Sequence, residues 1–426
     1  MSLSTPNGRP ISLYTVTGNP VSLYTVGGVQ VLGPAQGGGA TPTAPDDTTG
    51  LTSRLVQVTD NAFKAPFAAD ADPTEGSTSF TPITFQTRAH KVQFLLTGEA
   101  VGARAGLTVR GITYPLTVGG AQTFNVPSGT DLGILTDPFD YGIVLAEGET
   151  VTLRRYTPPG YKVWNSKAQA PSPVIRGDRS LVGEPPLATT PGPMAAPLAA
   201  VGVTTTDHRA VLFMGDSMMD PPWARNAATA NGLAYTDHAQ FGIQIYTLDP
   251  TFGGKFPATS TPYHYFLWEL GTNNGGMGQP GSYQAAITSM YRLADAGIRG
   301  GQTTLAPRTS STDAWATVGS QTASQAPAWR EDWNAWVRDG SPIDNATSRK
   351  WVAPGTAGAL RAGQAGHFLA YPACDVASAV ETGTAANRVW KAGKLTGDGT
   401  HYTGAGAVLA EQYTTEWMRQ HLKAGA

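Results

Sequence analysis

Hydrophobic and polar residues alternate with a period of two from about residue 53 to residue 160. Side chains that alternate in this way lie on opposite faces of a β-strand, so each series predicts a strand with one face in a core. Glycine-rich turns separate the series, and several short strands at this spacing predict a β-sandwich of the jelly-roll kind over 53–165. The clearest series are Val92/Phe94/Leu96, Leu107/Val109, Ile112/Tyr114/Leu116/Val118 and Val151/Leu153.

Beyond residue 200 the pattern changes to continuous apolar runs at 210–214 and 263–270. Strands of a parallel sheet read in this way because helices cover both of its faces. Residues 303–305 predict a third strand. These runs alternate with segments of helical periodicity, so the pattern predicts a three-layer α/β/α domain with a mostly parallel sheet over 205–426.

Three helices carry most of the helical signal in this region. They are predicted over 282–296, 328–339 and 404–422, and the prolines at 221–222 indicate the start of another helix. The middle one carries Trp329, Trp333 and Trp336 at helical spacing. A stripe of this kind is typical of a helix face that packs in a core.

The N-terminus is repetitive. Residues 8–27 hold two consecutive ten-residue copies that share Ser-Leu-Tyr-Thr-Val, and 29–33 resembles a worn third copy. Each copy predicts one short strand with a Gly/Pro turn, and two such strands are marginal in water on their own. Residues 1–33 are therefore predicted to be a docking segment that binds a larger assembly or other copies of the chain. Composition predicts a flexible linker at 34–52, and the Pro/Ala-rich segment 166–204 is predicted to be a second linker or a wrap over the next domain.

Composition and charge exclude several classes of function. Charged residues are only 14% of the chain and the net charge is −2. The sequence therefore predicts no basic surface that would bind nucleic acid or an acidic membrane. The single cysteine, Cys374, excludes an intrachain disulfide and a cysteine-based zinc site, and we expect it to be buried. The N-terminus lacks the features of a secretory signal, and no apolar run reaches the length of about 18 residues that spans a membrane. If the protein acts outside the cell that makes it, export by another route is expected.

The components of an activated nucleophile occur in the C-terminal half. Ser217 follows the apolar run at 210–214, and Asp398 precedes His401 by three residues. A serine becomes a strong nucleophile when a histidine accepts its proton and a carboxylate fixes the histidine tautomer. Ser217 is expected at the end of a strand and the start of a helix, where open α/β sheets hold their sites. Met219 replaces the second glycine of the α/β-hydrolase elbow and disfavours that fold.

The ordered set of motifs resembles the SGNH (GDSL) superfamily of esterases and acylhydrolases. Its four blocks correspond to Gly215-Asp216-Ser217, Gly242, Gly271-Thr272-Asn273 and Asp398-Gly399-Thr400-His401. The resemblance implies that Ser217 is the nucleophile, that His401 is the general base and that Asp398 orients it. It also implies an oxyanion hole built from the backbone amides of Ser217 and Gly242 and the side chain of Asn273. It implies no metal and no organic cofactor. The family's third block usually ends in aspartate, where this chain has Asn274.

The order of the segments resembles surface spike or fibre proteins of phages and phage-like particles. That resemblance implies a protein that acts outside the cell, on the particle surface, without a signal peptide. The β-domain would bind a cell-surface polysaccharide, and the α/β domain would remove O-acetyl or similar ester groups from it. Residues 1–33 would bind other structural proteins of the particle. Two alternatives remain: a receptor-binding spike that holds glycan without turnover, and a cellular lipid-ester hydrolase.

Overall fold

The computed structural model divides into two compact units, Met1–Asp47 and Thr48–Ala426. Each unit is described separately below. The residues that it describes are 21–26, 29–34, 51–57, 61–62, 67–96, 100–126, 134–165, 172–181, 191–192, 199–205, 207–239, 241–245, 262–274, 279–323, 327–384 and 387–423.

The first unit contains a pair of strands from the sequence repeats. Strand β1 (Val21–Val26) pairs antiparallel with β2 (Val29–Pro34), and Val26 is opposite Val29. The second copy of Ser-Leu-Tyr-Thr-Val thus lies in β1, and the worn third copy lies in β2. The first copy and most of the predicted linker at 34–52 lie outside the described residues.

The second unit begins with two antiparallel sheets. One has the order β10-β8-β12-β6-β14-β15 with β9 paired to β8, and the other has the order β11-β7-β16-β3. A small separate sheet joins β5 to β13. The strands are β3 (Leu51–Gln57), β4 (Asn61–Ala62), β5 (Phe67–Asp70), β6 (Ser77–Thr84), β7 (Ala89–Leu96), β8 (Ala100–Val109), β9 (Ile112–Leu116), β10 (Thr123–Val126), β11 (Ile134–Leu135), β12 (Thr150–Thr157), β13 (Lys162–Asn165), β14 (Ser172–Arg176), β15 (Pro191–Gly192) and β16 (Ala199–Thr205).

One hydrophobic cluster lies between these two sheets. The alternating side chains that predicted the strands supply it from both sides, including Phe94 and Leu96 of β7 and Leu107, Val151 and Leu153 of the other sheet. Their burial removes apolar surface from water, which is the main driving force for the packing of two sheets. The jelly-roll topology and the role of this region in glycan binding stay predictions.

A parallel sheet follows, with the order β20-β19-β17-β18-β4. Two small hairpins, β21–β22 and β23–β24, lie outside it. The elements are β17 (Ala210–Gly215), α1 (Trp223–Ala230), β18 (Ala234–Ala239), β19 (Tyr265–Glu269), α2 (Gln279–Asp295), β20 (Arg299–Gln302), β21 (Thr309–Ser311), β22 (Gln321–Ala323), α3 (Pro327–Arg338), α4 (Val376–Val380), β23 (Glu381–Thr382), β24 (Val389–Trp390) and α5 (Gly404–Met418).

Helices cover both faces of this parallel sheet. Leu212 and Met214 of β17 share a hydrophobic cluster with α2 and α3, whereas Val211 and Phe213 of the same strand share one with α1 and α5. The central strand is therefore buried on both sides, as its unbroken apolar run predicted. The tryptophan stripe of α3 lies in the first cluster, and Cys374 is buried in the second.

Three expectations about the chain's organisation differ from the structure: the strand at 303–305, the end of the last helix and the linker at 166–204. The predicted strand at 303–305 is wrong: β20 ends at Gln302, and its glycines, Gly300 and Gly301, leave room for aromatic rings. A side chain on Gly300 would come within 2.1 Å of the ring of Phe266. The two glycines resemble a turn in the sequence, but they form a strand on which an aromatic ring packs. The last helix also ends earlier, at Met418, and a π-helical turn follows.

The segment 166–204, which was expected to be a linker, contributes β14 and β16 to the two antiparallel sheets. The backbone of these strands is satisfied by pairing with β6 and β7, although their Pro/Ala-rich surroundings resemble a linker. In addition, β4 pairs with β18 of the parallel sheet, and Leu95 and Val201 belong to the same cluster as α2 and α3. The antiparallel and parallel regions therefore share part of one core.

Removal of the first unit is expected to leave the second one folded. A shortened chain that starts at Thr48 keeps β3, whose pairing with β16 closes the edge of a four-stranded sheet. Its thermal midpoint should equal that of the full chain. A control chain that starts after Gln57 loses β3, bares the edge of β16 and should unfold at a clearly lower temperature. Equal loss of stability in both shortened chains would show that the repeats belong to the second unit.

Candidate functional site

Ser217 lies in a tight turn directly after β17. The amide of Met218 donates to Asp216 Oδ1 at 2.9 Å, and the amide of Met219 donates to the Asp216 carbonyl at 3.1 Å. Helix α1 begins only at Trp223, so the expectation that Ser217 starts a helix is wrong. Pro222 occupies the position before that helix, and the indole of Trp223 donates back to the Met218 carbonyl at 2.9 Å. Side-chain and backbone hydrogen bonds, not a helix terminus, fix this turn.

His401 connects Ser217 to Asp398. The Ser217 hydroxyl lies 2.8 Å from His401 Nε2, and His401 Nδ1 lies 2.6 Å from Asp398 Oδ2. A carboxylate can only accept a hydrogen bond, so Nδ1 carries the imidazole proton and Nε2 is left to accept from the serine. The structure therefore brings these three predicted residues together across 184 positions of sequence.

The charge of Asp398 is stabilised by its hydrogen bonds. Partial burial acts against ionisation, but the side chain of His401 and the backbone amides of His401 and Thr400 outweigh it and lower the pKa of Asp398 to about 2. The two amides donate to Asp398 Oδ1 at 2.8 Å each. One carboxylate oxygen thus holds its own loop while the other orients the imidazole.

The loop from Asp398 to His401 is held against the hairpin that begins with β21. Gly399 has a φ of +83°, and a side chain there would lie 1.8 Å from the Thr309 carbonyl. The Gly399 carbonyl accepts from the Thr309 amide at 2.9 Å and from the indole of Trp390 at 3.1 Å. Only glycine combines this backbone conformation with so close an approach.

Replacement of Gly399 by alanine is therefore expected to displace the loop that carries His401. The added methyl would collide with the Thr309 backbone and would also require a strained positive φ, an effect of roughly 1–3 kcal/mol from strain alone. We expect a lower thermal midpoint together with a loss of any activity that depends on His401. Gly397→Ala is the control, since a side chain there meets its first neighbour at 3.8 Å. A stable, fully active Gly399→Ala protein would contradict this geometry.

Asn273 and the loop that contains Gly242 are joined by hydrogen bonds. Asn273 Nδ2 donates to the Ile243 carbonyl at 3.1 Å, and Gln244 Nε2 donates to the Asn273 carbonyl at 3.2 Å. The amide of Ile245 donates to Asn274 Oδ1 at 3.1 Å. Asn274 thus has a structural role in tying the two segments together.

Gly242 has a φ of +71° and is exposed, and no other atom lies within 4 Å of the position that a side chain would take. The positive φ accounts for glycine at this position, since other residues rarely adopt it. The roles of Asn273 and Gly242 as oxyanion donors stay predictions.

All four blocks gather at one edge of the parallel sheet. Ser217 follows β17, the Gly242 loop follows β18, and Asn273 follows β19, and these three strands are neighbours in the sheet. Carboxyl ends of parallel strands meet at the same edge, which is where open α/β sheets bind their ligands. His401 reaches the same edge from the loop before α5.

Two aromatic residues, Trp223 and Tyr402, pack behind the site. Trp223 is 1% exposed, and Tyr402 packs edge-on against Trp223 and Trp390 with ring centroids 6.3 and 5.5 Å away. They stabilise the serine turn and the histidine loop from behind. Among the described residues there is no cluster of His, Cys, Asp and Glu that could hold a metal ion, and no helix that is long and apolar enough to cross a membrane.

A buried pair of carboxyl groups lies beneath the serine, and sequence analysis missed half of it. Asp216 is fully buried and Glu269, the last residue of β19, is 4% exposed; the Asp216 amide donates to Glu269 Oε2 at 3.4 Å. Neither has an ion-pair partner among the described residues. Burial is the main cause that raises the pKa of both groups, and the nearby Asp216 charge raises that of Glu269 further. The only signal for Glu269 in the sequence was a single carboxylate near the end of the apolar run at 263–270.

Glu269 should make the protein less stable as the pH rises. Because its folded-state pKa lies above its ordinary value of 4.5, the native state binds the proton more tightly than the unfolded chain. The resulting stability is complete at low pH and is lost as the pH rises through the folded-state pKa. We expect Glu269→Gln to reduce this loss, measured by urea unfolding at successive pH values, whereas exposed Glu147→Gln should not. An unchanged pH slope in Glu269→Gln would contradict the assignment.

Among the comparisons with known proteins, only the one with solved structures found similar chains. No protein-family model matches the chain, and no curated protein matches it. A candidate acylhydrolase from Bacteroides fragilis NCTC 9343 is similar with 16% identity and a TM-score of 0.33, over 52% of this chain and 89% of that one.

Two further solved structures are similar over half of this chain. A GDSL-like lipase from Bacteroides thetaiotaomicron VPI-5482 has 15% identity and a TM-score of 0.33, over 51% of this chain and 89% of that one. A structure named TesA has 13% identity and a TM-score of 0.30, over 50% of this chain and 99% of that one. The solved structures that this chain resembles therefore include SGNH and GDSL hydrolases.

Proposed function

We propose that this protein is a serine carboxylic-ester hydrolase of the SGNH type. The observation that carries the proposal is the hydrogen-bonded series from Ser217 through His401 to Asp398, with distances of 2.8 and 2.6 Å. A hydroxyl, a neutral imidazole and an ionised carboxylate in this order make up the activated nucleophile of serine hydrolases. The Asp398 carboxylate is ionised at neutral pH, and its hydrogen bonds favour the charged form further by lowering its pKa to about 2.

The reaction proceeds in two halves. In the first, Ser217 Oγ forms a bond to the ester carbonyl carbon while His401 Nε2 takes the serine proton, and that proton then goes to the leaving alcohol as the ester C–O bond breaks. In the second, His401 Nε2 takes a proton from water as the water oxygen attacks the acyl carbon, and that proton returns to Ser217 Oγ as the acyl C–Oγ bond breaks and the acid leaves. Asp398 holds the imidazole and stabilises its charged form in both halves.

Hydrogen-bond donors are needed to stabilise the negative charge that develops on the carbonyl oxygen of the ester. The Ser217 and Gly242 amides and the Asn273 side chain are proposed for this role. Their support is local: the Asn273 side chain is anchored on the Ile243 carbonyl through one of its two N–H groups, which leaves the other for a ligand. Donors held in advance stabilise the oxyanion without reorganisation during the reaction.

O-Acetyl groups on a cell-surface polysaccharide are the proposed substrate, and the surface of a phage-like particle is the proposed setting. The setting is supported by the tandem repeats of 8–27 and by the division of the chain after Asp47, which suit an anchor followed by working domains. The partners on this view are the polysaccharide and other structural proteins of the particle.

The proposal is tested with an acetyl ester and an acetylated glycan in parallel. We expect purified protein to release p-nitrophenol from p-nitrophenyl acetate and acetate from an O-acetylated polysaccharide, and we expect Ser378→Ala, a change at an exposed serine, to retain both activities. Release of neither product would reject the enzyme and favour a glycan-binding spike. Release from the aryl ester alone would reject the polysaccharide as substrate.

A further inference from the structure

Arg308 differs from the other arginines in its part of the chain. Seven arginines lie beyond residue 300. Within the described residues, six of them form ion pairs with carboxylates, whereas Arg308 forms none and its side chain is exposed. The six that are paired are Arg330, Arg338, Arg349, Arg361, Arg388 and Arg419.

The backbone that carries Arg308 is fixed from below. Arg330 Nε donates to the carbonyls of Leu305 and Ala306 at 3.0 and 2.8 Å. The side chain of Asn334 both accepts from the Leu305 amide at 2.8 Å and donates to its carbonyl at 2.9 Å. Every residue from Leu305 to Thr309 is buried except Arg308. The segment therefore presents a single charged side chain from a rigid base.

Two contacts place this side chain at the rim of the candidate site. Arg308 Nη1 lies 3.4 Å from the carbonyl of Thr272, the residue before Asn273. The next residue, Thr309, donates its amide to the Gly399 carbonyl between Asp398 and His401. Arg308 thus lies between the segment of the proposed oxyanion donor and the segment of the proposed general base.

We propose that Arg308 binds an anionic group of the ester substrate, so that the preferred substrate is an acidic sugar ester rather than a neutral one. The inference rests on the proposed function and names the substrate class of the same site. A guanidinium offers several N–H donors in one plane, of which the Thr272 carbonyl takes one, and the others match the two oxygens of a carboxylate or phosphate. Because the segment is held in advance, little ordering opposes the binding.

The anion is not altered when the ester is cleaved, so its contact with Arg308 is the same in the bound substrate and in the transition state. Such an interaction lowers KM and leaves kcat unchanged. An exposed ion pair is also screened by salt, so the preference for acidic esters should weaken as ionic strength rises. These two signatures separate substrate binding from any structural role of Arg308.

The test compares matched pairs of substrates, in which one member carries anionic groups that the other lacks. The first pair is O-acetylated oligogalacturonate and its carboxyl methyl ester, and the second is acetylated glucose 6-phosphate and acetylated glucose. We expect the protein to favour the acid in at least one pair by about tenfold in kcat/KM, through KM, as a charge-assisted contact allows. Arg308→Gln should remove that preference, Arg308→Lys should retain part of it, and exposed Arg292→Gln should keep all of it.

The pair that shows the preference identifies the anion as carboxylate or phosphate. No preference in either pair, or a preference that Arg308→Gln retains, overturns the inference, as does an equal fall of kcat on acidic and neutral esters. Hydrolysis of p-nitrophenyl acetate is followed beside each assay. If the parent protein fails on that ester as well, the proposed function is rejected, whereas activity without charge discrimination rejects the inference alone. Thermal midpoints of both Arg308 variants show whether they are folded.

Discussion

Replacing Ser217 with alanine should lower kcat for p-nitrophenyl acetate by roughly 10³–10⁶ and leave the protein folded. The change removes the oxygen that is proposed to bond to the acyl carbon and that lies beside His401 Nε2. The hydroxyl makes few other contacts, since the turn is held by the Asp216 carboxylate and the Met218 and Met219 amides. The thermal midpoint should therefore change little.

The same loss should follow from His401→Ala, and the double variant should be no worse than either single one. Residues that act as one unit give losses that do not add. Activity in Ser217→Ala within tenfold of the parent would reject the mechanism. Independent, additive losses in the two variants would show that the residues do not act together.

Asn273→Ala should lower kcat by roughly 10²–10³ with little change in KM. The charge that this side chain stabilises develops only near the transition state, so binding of the neutral ester is unaffected. The matched change is Asn345→Ala, at an exposed turn residue whose side chain accepts from the amides of Thr347 and Ser348. If Asn273→Ala raised KM and kept kcat, the side chain would be a binding group.

The alanine variant also removes the contact with the Ile243 carbonyl, which could move the Gly242 loop. Gln244→Ala separates the two effects, because it removes a second hydrogen bond between these segments, to the Asn273 carbonyl, and keeps the Asn273 N–H donors. If donation to the oxyanion matters, Gln244→Ala should keep near-normal kcat while Asn273→Ala loses it. A similar loss of kcat in both variants would assign the effect to loop displacement.

The sequence pattern was sufficient for the parts of the fold that repeat with a regular period. The unbroken apolar run of β17 predicted a strand that is buried on both faces, and the alternation in β7, β8 and β12 predicted strands with one buried face. The order of the motifs pointed to Ser217, Asp398 and His401, which the structure brings within hydrogen-bonding distance. The local pattern was informative because side chains of strands and helices are buried at regular intervals along the chain.

Contacts between distant segments could not be predicted in this way. The pairing of β4 with β18 depends on backbone groups that every residue shares, so no side-chain pattern marks it. The strands within 166–204 were hidden for the same reason. In β20, Gly300 gives no strand signal, because the apolar surface over it belongs to Phe266 of another strand.

The charged groups around the site were also beyond the sequence. Glu269 and Asp216 lie 53 residues apart, and their mutual effect arises only once both are buried next to each other. Arg308 is one of several arginines in its region, and only the folded chain shows that it has no carboxylate partner among the described residues. A sequence can offer such residues as candidates, but their pairing depends on tertiary packing.

The central claim is that Ser217 is a nucleophile activated by His401, and covalent capture tests it most directly. A fluorophosphonate carries a phosphorus that a serine oxygen attacks with loss of fluoride, so an activated serine gains the phosphonyl group permanently. We predict that intact-mass measurement shows one adduct per chain, that peptide mapping places it on Ser217, and that His401→Ala labels far more slowly. Labelling at another residue, or equal labelling of the parent and Ser217→Ala, would contradict the claim.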